Sequence, residues 1–154
     1  MEPNYTRICQ RLRVLTESIP YETANLANAS ALLWQNLEDI NWAGFYKWID
    51  GILVLGPFQG KPACVKIPMG KGVCGTAAAR DAVQLVDNVH EFPGHIACDG
   101  ASNSEIVIPL HVRGELWGVL DIDSPVFSRF SAEDADGLTR FAQTLEEILE
   151  KCSR

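Results

Sequence analysis

The sequence has no long apolar run and no cluster of basic residues. No segment approaches the roughly 20 consecutive apolar residues of a membrane-spanning helix. No apolar stretch follows a basic start at the N-terminus, so neither a secretory signal nor a transit peptide is predicted. The chain carries 20 acidic and 13 basic residues, for a net charge of −7. Without a signal or a membrane span, the protein is expected to be cytoplasmic. Because nucleic acids and anionic membranes are bound through clustered Lys and Arg, we expect it to bind neither.

The sequence also lacks the paired cysteines of a zinc site. Zinc ligands usually occur in pairs such as C-x-x-C, and no such spacing is present among the five cysteines. No Ser-His-Asp arrangement is recognisable. In a reducing compartment the default state of a cysteine is a free thiol. We therefore predict no bound metal, and a packing role for Cys9 and Cys152, which fall in the terminal helical patterns.

Hydrophobic periodicity predicts helices at both ends of the chain and hairpins between them. Apolar residues recur at helical spacing over 4–19, 23–39 and 131–152. Alternating segments flank two short turns, Asp50-Gly51 and Arg113-Gly114. This order of elements indicates a single α+β domain over residues 1–154. In it, the N- and C-terminal helices would cover one face of a central antiparallel sheet, and loops would roof a pocket on the other.

Two cysteines lie in the short elements between the hairpins. Residues 63–68 form a predicted short strand that contains Cys64, and residues 69–81 form a glycine-rich turn that leads into a helix. The turn matches the G-x-G-x-x-G of dinucleotide sites, but the chain lacks the βαβ units that this motif requires. The helix start would place Cys74 near the positive end of the helix dipole, which predicts a lowered thiol pKa.

The stretch 87–109 has the composition of a functional loop. It carries Cys98, His90, His95, Asp99 and Glu105, and prolines and glycines interrupt it. We expect the two histidines to shape the loop through hydrogen bonds. A cysteine between a histidine and an acid can become a thiolate, attack an electrophile and be released by a second cysteine.

The strand that follows the second hairpin turn ends in two acids. Alternate side chains of a strand share a face. The predicted faces are Trp117, Val119, Asp121 and Asp123 on one side, and Leu116, Gly118, Leu120 and Ile122 on the other. Two acids on one face at the end of an apolar strand indicate either a solvated strand end or a polar site.

Four segments carry a resemblance to a known family. GKGVCG, VHEFPGHIACD, SNSEIV and LWGVLDIDSP resemble segments of the free methionine-(R)-sulfoxide reductases, whose members are single GAF domains. The similarity runs from about residue 41 to residue 130. Most GAF sensor domains share the fold but lack the three spaced cysteines and the HIACD sequence. The resemblance therefore implies a GAF-like fold and thiol-dependent reduction of free L-methionine-(R)-sulfoxide.

The resemblance also assigns roles to the three central cysteines. Cys98 corresponds to the nucleophile that attacks the sulfoxide sulfur, giving a sulfenic acid and free methionine. Cys64 matches the resolving cysteine, and Cys74 matches a third thiol that takes part in alternative disulfides. Thioredoxin restores the dithiol in this family, and neither a bound metal nor an organic cofactor is implied. Related proteins often crystallise as homodimers, so a homodimer is compatible with the resemblance.

Four further residues match the family's substrate pocket. Glu105, Asp121 and Asp123 correspond to its acidic residues, and carboxylates are the natural partners for a buried ammonium group. One of them, kept protonated by its neighbours, could donate a proton to the departing sulfoxide oxygen. Trp42 resembles the indole that faces the substrate methyl group.

Two other classes of function remain open from the residues alone. The chain could be a GAF module that senses a small ligand, with incidental cysteines. It could instead be a thiol redox switch without a dedicated substrate. Catalytic turnover of a sulfoxide is expected of an enzyme, but not of a ligand-sensing module or of a redox switch.

Overall fold

A computed structural model describes residues 3–96 and 100–152 of the chain. The predicted nucleophile, Cys98, lies outside these residues, as does Asp99. None of the described helices is long and apolar enough to span a bilayer.

The described residues form one six-stranded sheet and four α-helices. The helices are α1 Tyr5–Thr16, α2 Glu22–Asn36, α3 Gly72–Arg80 and α4 Ala132–Glu150. The strands are β1 Trp42–Ile49, β2 Ile52–Gly60, β3 Lys66–Pro68, β4 Gln84–Val86, β5 Ser104–Val112 and β6 Glu115–Ser124. The sheet order is β3-β2-β1-β6-β5-β4, and every neighbouring pair is antiparallel. The predicted α+β architecture is confirmed.

The two predicted hairpin turns fix the order of the central strands. Asp50 and Gly51 have φ of 50° and 83°, and Arg113 and Gly114 have φ of 55° and 78°. Two consecutive residues with positive φ define the turn whose twist matches that of paired strands. These turns join β1 to β2 and β5 to β6, and β1 then pairs with β6 at the centre of the sheet.

The terminal helices bury one face of the sheet, as predicted. Side chains of α1, α2 and α4 pack with those of β1, β5 and β6 in the larger apolar core. Its fully buried members include Leu12, Leu33, Phe45, Ile106, Leu120, Ile122, Leu138, Phe141 and Leu145. Helix α3 packs on the opposite face, in a second and smaller apolar cluster. The two faces of the sheet thus have different partners.

A buried polar contact joins the two ends of the chain. Ser131 caps α4 by accepting from the N–H of Asp134 at 3.1 Å, and the Asp134 carboxylate accepts from the N–H of Ser131 at 2.9 Å. The same carboxylate accepts from the Tyr5 hydroxyl at 2.6 Å and from Arg129 at 3.1 Å. Burial alone would raise the pKa of Asp134, but these donors outweigh it and lower that pKa. The ionised carboxylate therefore links α1 to α4.

The predicted faces of β6 are wrong for Leu116 and Trp117, near the start of the strand. Trp117 belongs to the core under the helices, and Leu116 packs with the cluster on the other face. The reason is an extra residue in β6, since Leu110 pairs with Gly118 whereas the next residue of β5 pairs with Leu116. Such a bulge reverses the alternation of side chains. The faces of residues 119–123 are as predicted.

Cys64 does not lie in a strand, in contrast to the prediction. Strand β3 begins at Lys66 and pairs with β2 over three residues. The carbonyl of Cys64 accepts a hydrogen bond from the Tyr46 hydroxyl at 2.9 Å instead of joining the ladder. Cys64 therefore sits in the segment that leads into β3.

The bulge generates a prediction about Gly118. A Cβ at this residue would overlap the carbonyl oxygen of Tyr46, and its φ is 155°. We expect Gly118→Ala to lower the free energy of unfolding by about 2–4 kcal/mol, because backbone atoms must move to admit the methyl group. Urea unfolding followed by circular dichroism measures this loss.

The matched control is Gly114→Ala. Gly114 also has a positive φ, but a Cβ there would meet nothing within 4 Å. Its loss should be about 1–2 kcal/mol, the strain of the left-handed conformation alone. Equal losses in the two variants would contradict the close-packing explanation.

Candidate active site

A cavity of about 50 Å³ lies on the sheet face opposite the terminal helices. Its walls come from the ends of β1, β5 and β6, from the start of α3, and from the segments before β3 and after the short 3-10 turn Val89–Glu91. The lining residues are Trp42, Tyr46, Pro62, Ala63, Ile67, Lys71, Gly72, Val73, Cys74, His95, Ile96, Ser102, Glu105, Asp121 and Asp123.

Strand pairing brings the three predicted acids together. Asp123 pairs with Glu105 on one side and with Trp42 on the other, so the three residues form one row across β5, β6 and β1. Asp121 lies two residues earlier in β6, on the same face. Glu105 is 8% exposed and Asp121 5%. Within the described part of the chain, Oδ1 of Asp121 is buried without a hydrogen-bond partner.

Burial and mutual repulsion keep Glu105 protonated. Burial raises the pKa of Glu105 well above its usual value of 4.5, and the nearby Asp121 and Asp123 carboxyls raise it further. Burial and the neighbouring carboxyls therefore favour the uncharged form of Glu105. It can donate a proton into the cavity.

Cys74 lies beside this acid, and its predicted thiolate character is wrong. Its Sγ is 4.0 Å from Oε2 of Glu105. Although Cys74 lies in the first turn of α3, burial raises its thiol pKa, and the neighbouring carboxyls of Asp121 and Glu105 raise it further. Desolvation and negative charge outweigh the helix dipole here. Cys74 is a neutral thiol.

An aromatic wall stands next to the acids. Trp42 is 3% exposed and stacks on Phe58 at 5.1 Å and on Tyr46 at 5.8 Å between ring centroids. Its indole N–H donates to the carbonyl of Lys61 at 3.2 Å. Trp42 thus both lines the cavity and packs in the smaller apolar cluster.

Tyr46 was missed by the sequence reasoning, although a signal exists. It lies four residues after Trp42 in the same strand, so alternation places both rings on one face. Burial, followed by the surrounding acids, raises the pKa of Tyr46 far above its usual value, so its hydroxyl stays protonated. That hydroxyl donates a hydrogen bond to the carbonyl oxygen of Cys64.

The described cysteines differ in redox state. Cys64 is disulfide-bonded, whereas Cys9, Cys74 and Cys152 carry free thiols. Cys152 is buried and Cys9 half-buried, as the packing prediction requires.

Comparison with known proteins places this arrangement in a family. The GAF domain model matches residues 9–149. The free methionine-R-sulfoxide reductase of Escherichia coli is 64% identical over 126 residues, which cover 82% of this chain and 76% of that protein. The chain belongs to the free methionine-R-sulfoxide reductase family. Protein YtsP of Bacillus subtilis is 57% identical over 150 residues, 96% of this chain and 92% of YtsP.

A solved structure from this family has the same fold. The structure of fRMsr of Staphylococcus aureus in its reduced form superposes with a TM-score of 0.93 at 48% identity and covers 96% of both chains. The predicted resemblance to free methionine-(R)-sulfoxide reductases is therefore confirmed.

The two loop histidines lie beside each other, with 6.2 Å between ring centroids, but differ in their other contacts. Nε2 of His90 lies 2.7 Å from Oδ1 of Asn103, which confirms the predicted loop-shaping hydrogen bond of His90. His95 lines the cavity instead. Burial, followed by repulsion from His90, lowers the pKa of His95, so its neutral form is favoured at neutral pH.

Three cavity residues could also hold a metal ion. Donor atoms of Cys74, Glu105 and Asp121 all lie within 4.8 Å of one another. A thiolate and two carboxylates are ligands that Zn²⁺ accepts. The fold creates this cluster from residues far apart in sequence, so paired motifs could not reveal it. The absence of a resident metal stays a prediction.

The raised pKa of Glu105 predicts how stability depends on pH. Above pH 4.5 the unfolded chain releases the Glu105 proton while the folded chain retains it, so wild type loses up to about 1.4 kcal/mol of stability per pH unit from this group. Glu105→Gln removes that loss. We expect the variant to gain stability over wild type as pH rises from 4 to 8, measured by urea unfolding under reducing conditions.

Glu115→Gln serves as the control for this measurement. Glu115 is exposed at the start of the neighbouring strand. Its unfolding free energy should follow that of wild type at every pH. A constant difference between Glu105→Gln and wild type across this range would refute the protonated state of Glu105.

Proposed function

We propose that the chain reduces free L-methionine-(R)-sulfoxide to L-methionine through a cysteine sulfenic acid and an intramolecular disulfide. Membership of the family makes the chain an oxidoreductase of methionine sulfoxide. The observation that carries the proposal is the cavity in which three acids meet an aromatic wall. Free methionine sulfoxide offers matching groups, namely an ammonium, a polar S=O and an apolar methyl.

The acids supply the partners for the ammonium and the proton for the oxygen. An ammonium buried without a partner is costly, and Asp121 and Asp123 are carboxyl groups at the cavity wall. Protonated Glu105 acts as the general acid for the departing oxygen. This division of roles is supported by the raised pKa of Glu105.

Trp42 selects the sulfoxide epimer. A flat indole wall accepts a methyl group but leaves a sulfoxide oxygen without a hydrogen bond. Exchanging the oxygen and the lone pair at sulfur would move the oxygen away from Glu105. The (S) epimer should therefore react poorly.

The proposed reaction reduces the sulfoxide by two electrons and transfers its oxygen atom to Cys98. The Cys98 thiolate attacks the sulfoxide sulfur and forms a transient S–S bond, while Glu105 protonates the sulfoxide oxygen. The oxygen then moves to the sulfur of Cys98 as the S–O and S–S bonds break, which leaves a sulfenic acid on Cys98 and releases methionine. The Cys64 thiol then attacks the sulfenic sulfur and releases water, forming a disulfide. Reduced thioredoxin exchanges with this disulfide and restores both thiols. The disulfide-bonded state of Cys64 supports this role.

Enclosure explains why the free amino acid is the proposed substrate. If the cavity surrounds both the α-ammonium and the α-carboxylate, a peptide chain has no exit. Methionine sulfoxide within a protein should then be excluded.

The two other functional classes make different predictions. A ligand-sensing GAF module would bind a small molecule without turnover. A thiol redox switch would oxidise and reduce without a dedicated substrate, and replacing the cavity acids would have no effect on it.

The first test is NADPH consumption coupled through thioredoxin reductase and thioredoxin. We expect turnover of free L-methionine-(R)-sulfoxide and at least a hundredfold lower kcat/KM for the (S) epimer. Cys98→Ser should abolish turnover, because no other group accepts the oxygen. An N-acetylated, C-amidated (R)-sulfoxide should not be consumed.

Cys9→Ser is the control for the thiol substitution. Cys9 is a free cysteine in α1, distant in the fold from the cavity lining. It should retain wild-type rates. Absence of turnover by folded, reduced wild-type protein would favour the ligand-sensing module instead.

A second test separates the roles of two acids. Glu105→Gln should lower kcat by about 10²–10⁴-fold, the usual contribution of a general acid. Asp123→Asn should chiefly raise KM, by about tenfold or more, because a charged hydrogen bond to the ammonium contributes about 1.5–3 kcal/mol. Steady-state kinetics with each variant, alongside urea midpoints, measures both effects.

Glu115→Gln and Asp136→Asn are the exposed counterparts for these substitutions. Both should leave kcat and KM within twofold of wild type. Unchanged kinetics in Glu105→Gln would remove this residue from the proposed mechanism.

A further inference from the structure

Three side chains of two ligand types meet in the cavity, and each comes from a different element. Cys74 lies in α3, Glu105 in β5 and Asp121 in β6. One donor atom of each lies within 4.8 Å of the other two. Cys74 is 4% exposed, and the two acids are almost as deeply buried. The packing of α3 on the sheet therefore fixes this cluster, unlike a group of acids on an exposed surface.

A second observation indicates that the cluster takes a cation. Oδ1 of Asp121 is buried without a hydrogen-bond partner among residues 3–96 and 100–152. Neither Asp121 nor Glu105 forms an ion pair with a described residue. Buried charges in proteins are normally paired or coordinate a metal. The Asp121 oxygen thus lacks the positive partner that its position calls for.

The thiol of Cys74 distinguishes a metal ion from an ammonium group. Carboxyl oxygens alone satisfy an ammonium, whereas Zn²⁺ binds a thiolate sulfur at about 2.3 Å and carboxylate oxygens at about 2.0–2.2 Å. At a tetrahedral angle such a sulfur and oxygen lie roughly 3.6 Å apart. Sγ of Cys74 and Oε2 of Glu105 are 4.0 Å apart, so a small side-chain adjustment brings them to this spacing.

The same donor set argues against the hard divalent ions. Mg²⁺ and Ca²⁺ are bound by oxygen ligands, and sulfur contributes nothing to their sites. Thiolate ligands select ions such as Zn²⁺. The class of ligand is therefore a divalent cation that accepts sulfur.

We propose that Cys74, Glu105 and Asp121 form a binding site for Zn²⁺, with water at the fourth position. The ion replaces the proton of the Cys74 thiol, which passes to solvent, and no electron is transferred. Zn²⁺ here is an acquired ligand and not a resident cofactor. It occupies the carboxyl groups that would receive the substrate ammonium and protonate the sulfoxide, so it acts as an inhibitor. This consequence rests on the proposed function, whereas the site itself does not.

The test titrates metal into a Cys64→Ser, Cys98→Ser double variant in thiol-free buffer. This background removes the two other cysteines with proposed redox roles, so neither can chelate the ion. Calorimetry with Zn²⁺ should give one ion per chain, and Co²⁺ should give a thiolate-to-metal charge-transfer band. Adding Cys74→Ser should abolish the band and raise the Kd of Zn²⁺ about a hundredfold or more, since even outer-shell substitutions cost about 10–100-fold.

Two further variants separate metal ligation from folding. Asp121→Asn, on a different element, should raise the Kd of Zn²⁺ about tenfold or more. Cys9→Ser is the matched thiol control, because Cys9 is a free cysteine of α1 outside the cavity lining. It should change the Kd less than twofold, and circular dichroism verifies the fold of each variant. An unchanged Kd in Cys74→Ser, or absence of the Co²⁺ band, would overturn the site.

Competition with the proposed substrate tests the inhibitory role. Free L-methionine-(R)-sulfoxide at about ten times its Kd should raise the apparent Kd of Zn²⁺ about tenfold in the double variant. No change in the Kd would show that the two ligands bind apart, and would overturn the inhibitory role.

The metal site and the proposed function fail separately. Absence of turnover by wild type in the metal-free, thioredoxin-coupled assay would refute the reductase mechanism. Cys74-dependent binding of Zn²⁺ would still establish the site. Conversely, normal turnover together with Zn²⁺ binding that ignores Cys74 would overturn the site alone.

Discussion

The burial of two carboxyl groups, those of Glu105 and Asp121, and of the Cys74 thiol on one sheet face is the constraint on which the rest of the structure depends. Glu105 and Asp121 are almost fully buried, and a desolvated charge without a partner is strongly destabilising. Protonation of Glu105 relieves part of this penalty. The remainder is offset by the opposite face, where side chains from three helices enclose the larger apolar core. The sheet thus separates a stabilising face from a reactive one.

Strand register determines whether this separation exists. The row Trp42, Asp123 and Glu105 depends on two antiparallel pairings, which the hairpin turns at Asp50 and Arg113 help to fix. A slip of one residue in β6 would move both aspartates into the apolar core under the helices. The bulge at Trp117 confines its reversal of faces to the start of β6, so the acids at the other end keep their orientation.

The helices and strands could be predicted from the periodicity of the sequence. The protonation states of the buried groups could not. Alternation and turn chemistry gave the sheet and the shared face of Asp121 and Asp123, because both depend on neighbours in the chain. The thiol pKa of Cys74 depends on desolvation and on acids from two distant strands, so helix position alone predicted the wrong direction.

The proposed substrate would alter the acid that acts on it. Without a ligand, Glu105 is held protonated by burial and by two neighbouring carboxyls. An ammonium placed against Asp121 and Asp123 compensates their charge and adds a positive field, and a positive charge nearby favours the ionised form of a carboxyl group. Proton release from Glu105 then becomes easier only when the α-ammonium is present. Binding of the amino-acid end would thereby promote proton transfer at the sulfoxide end, which links recognition of the free amino acid to the chemical step.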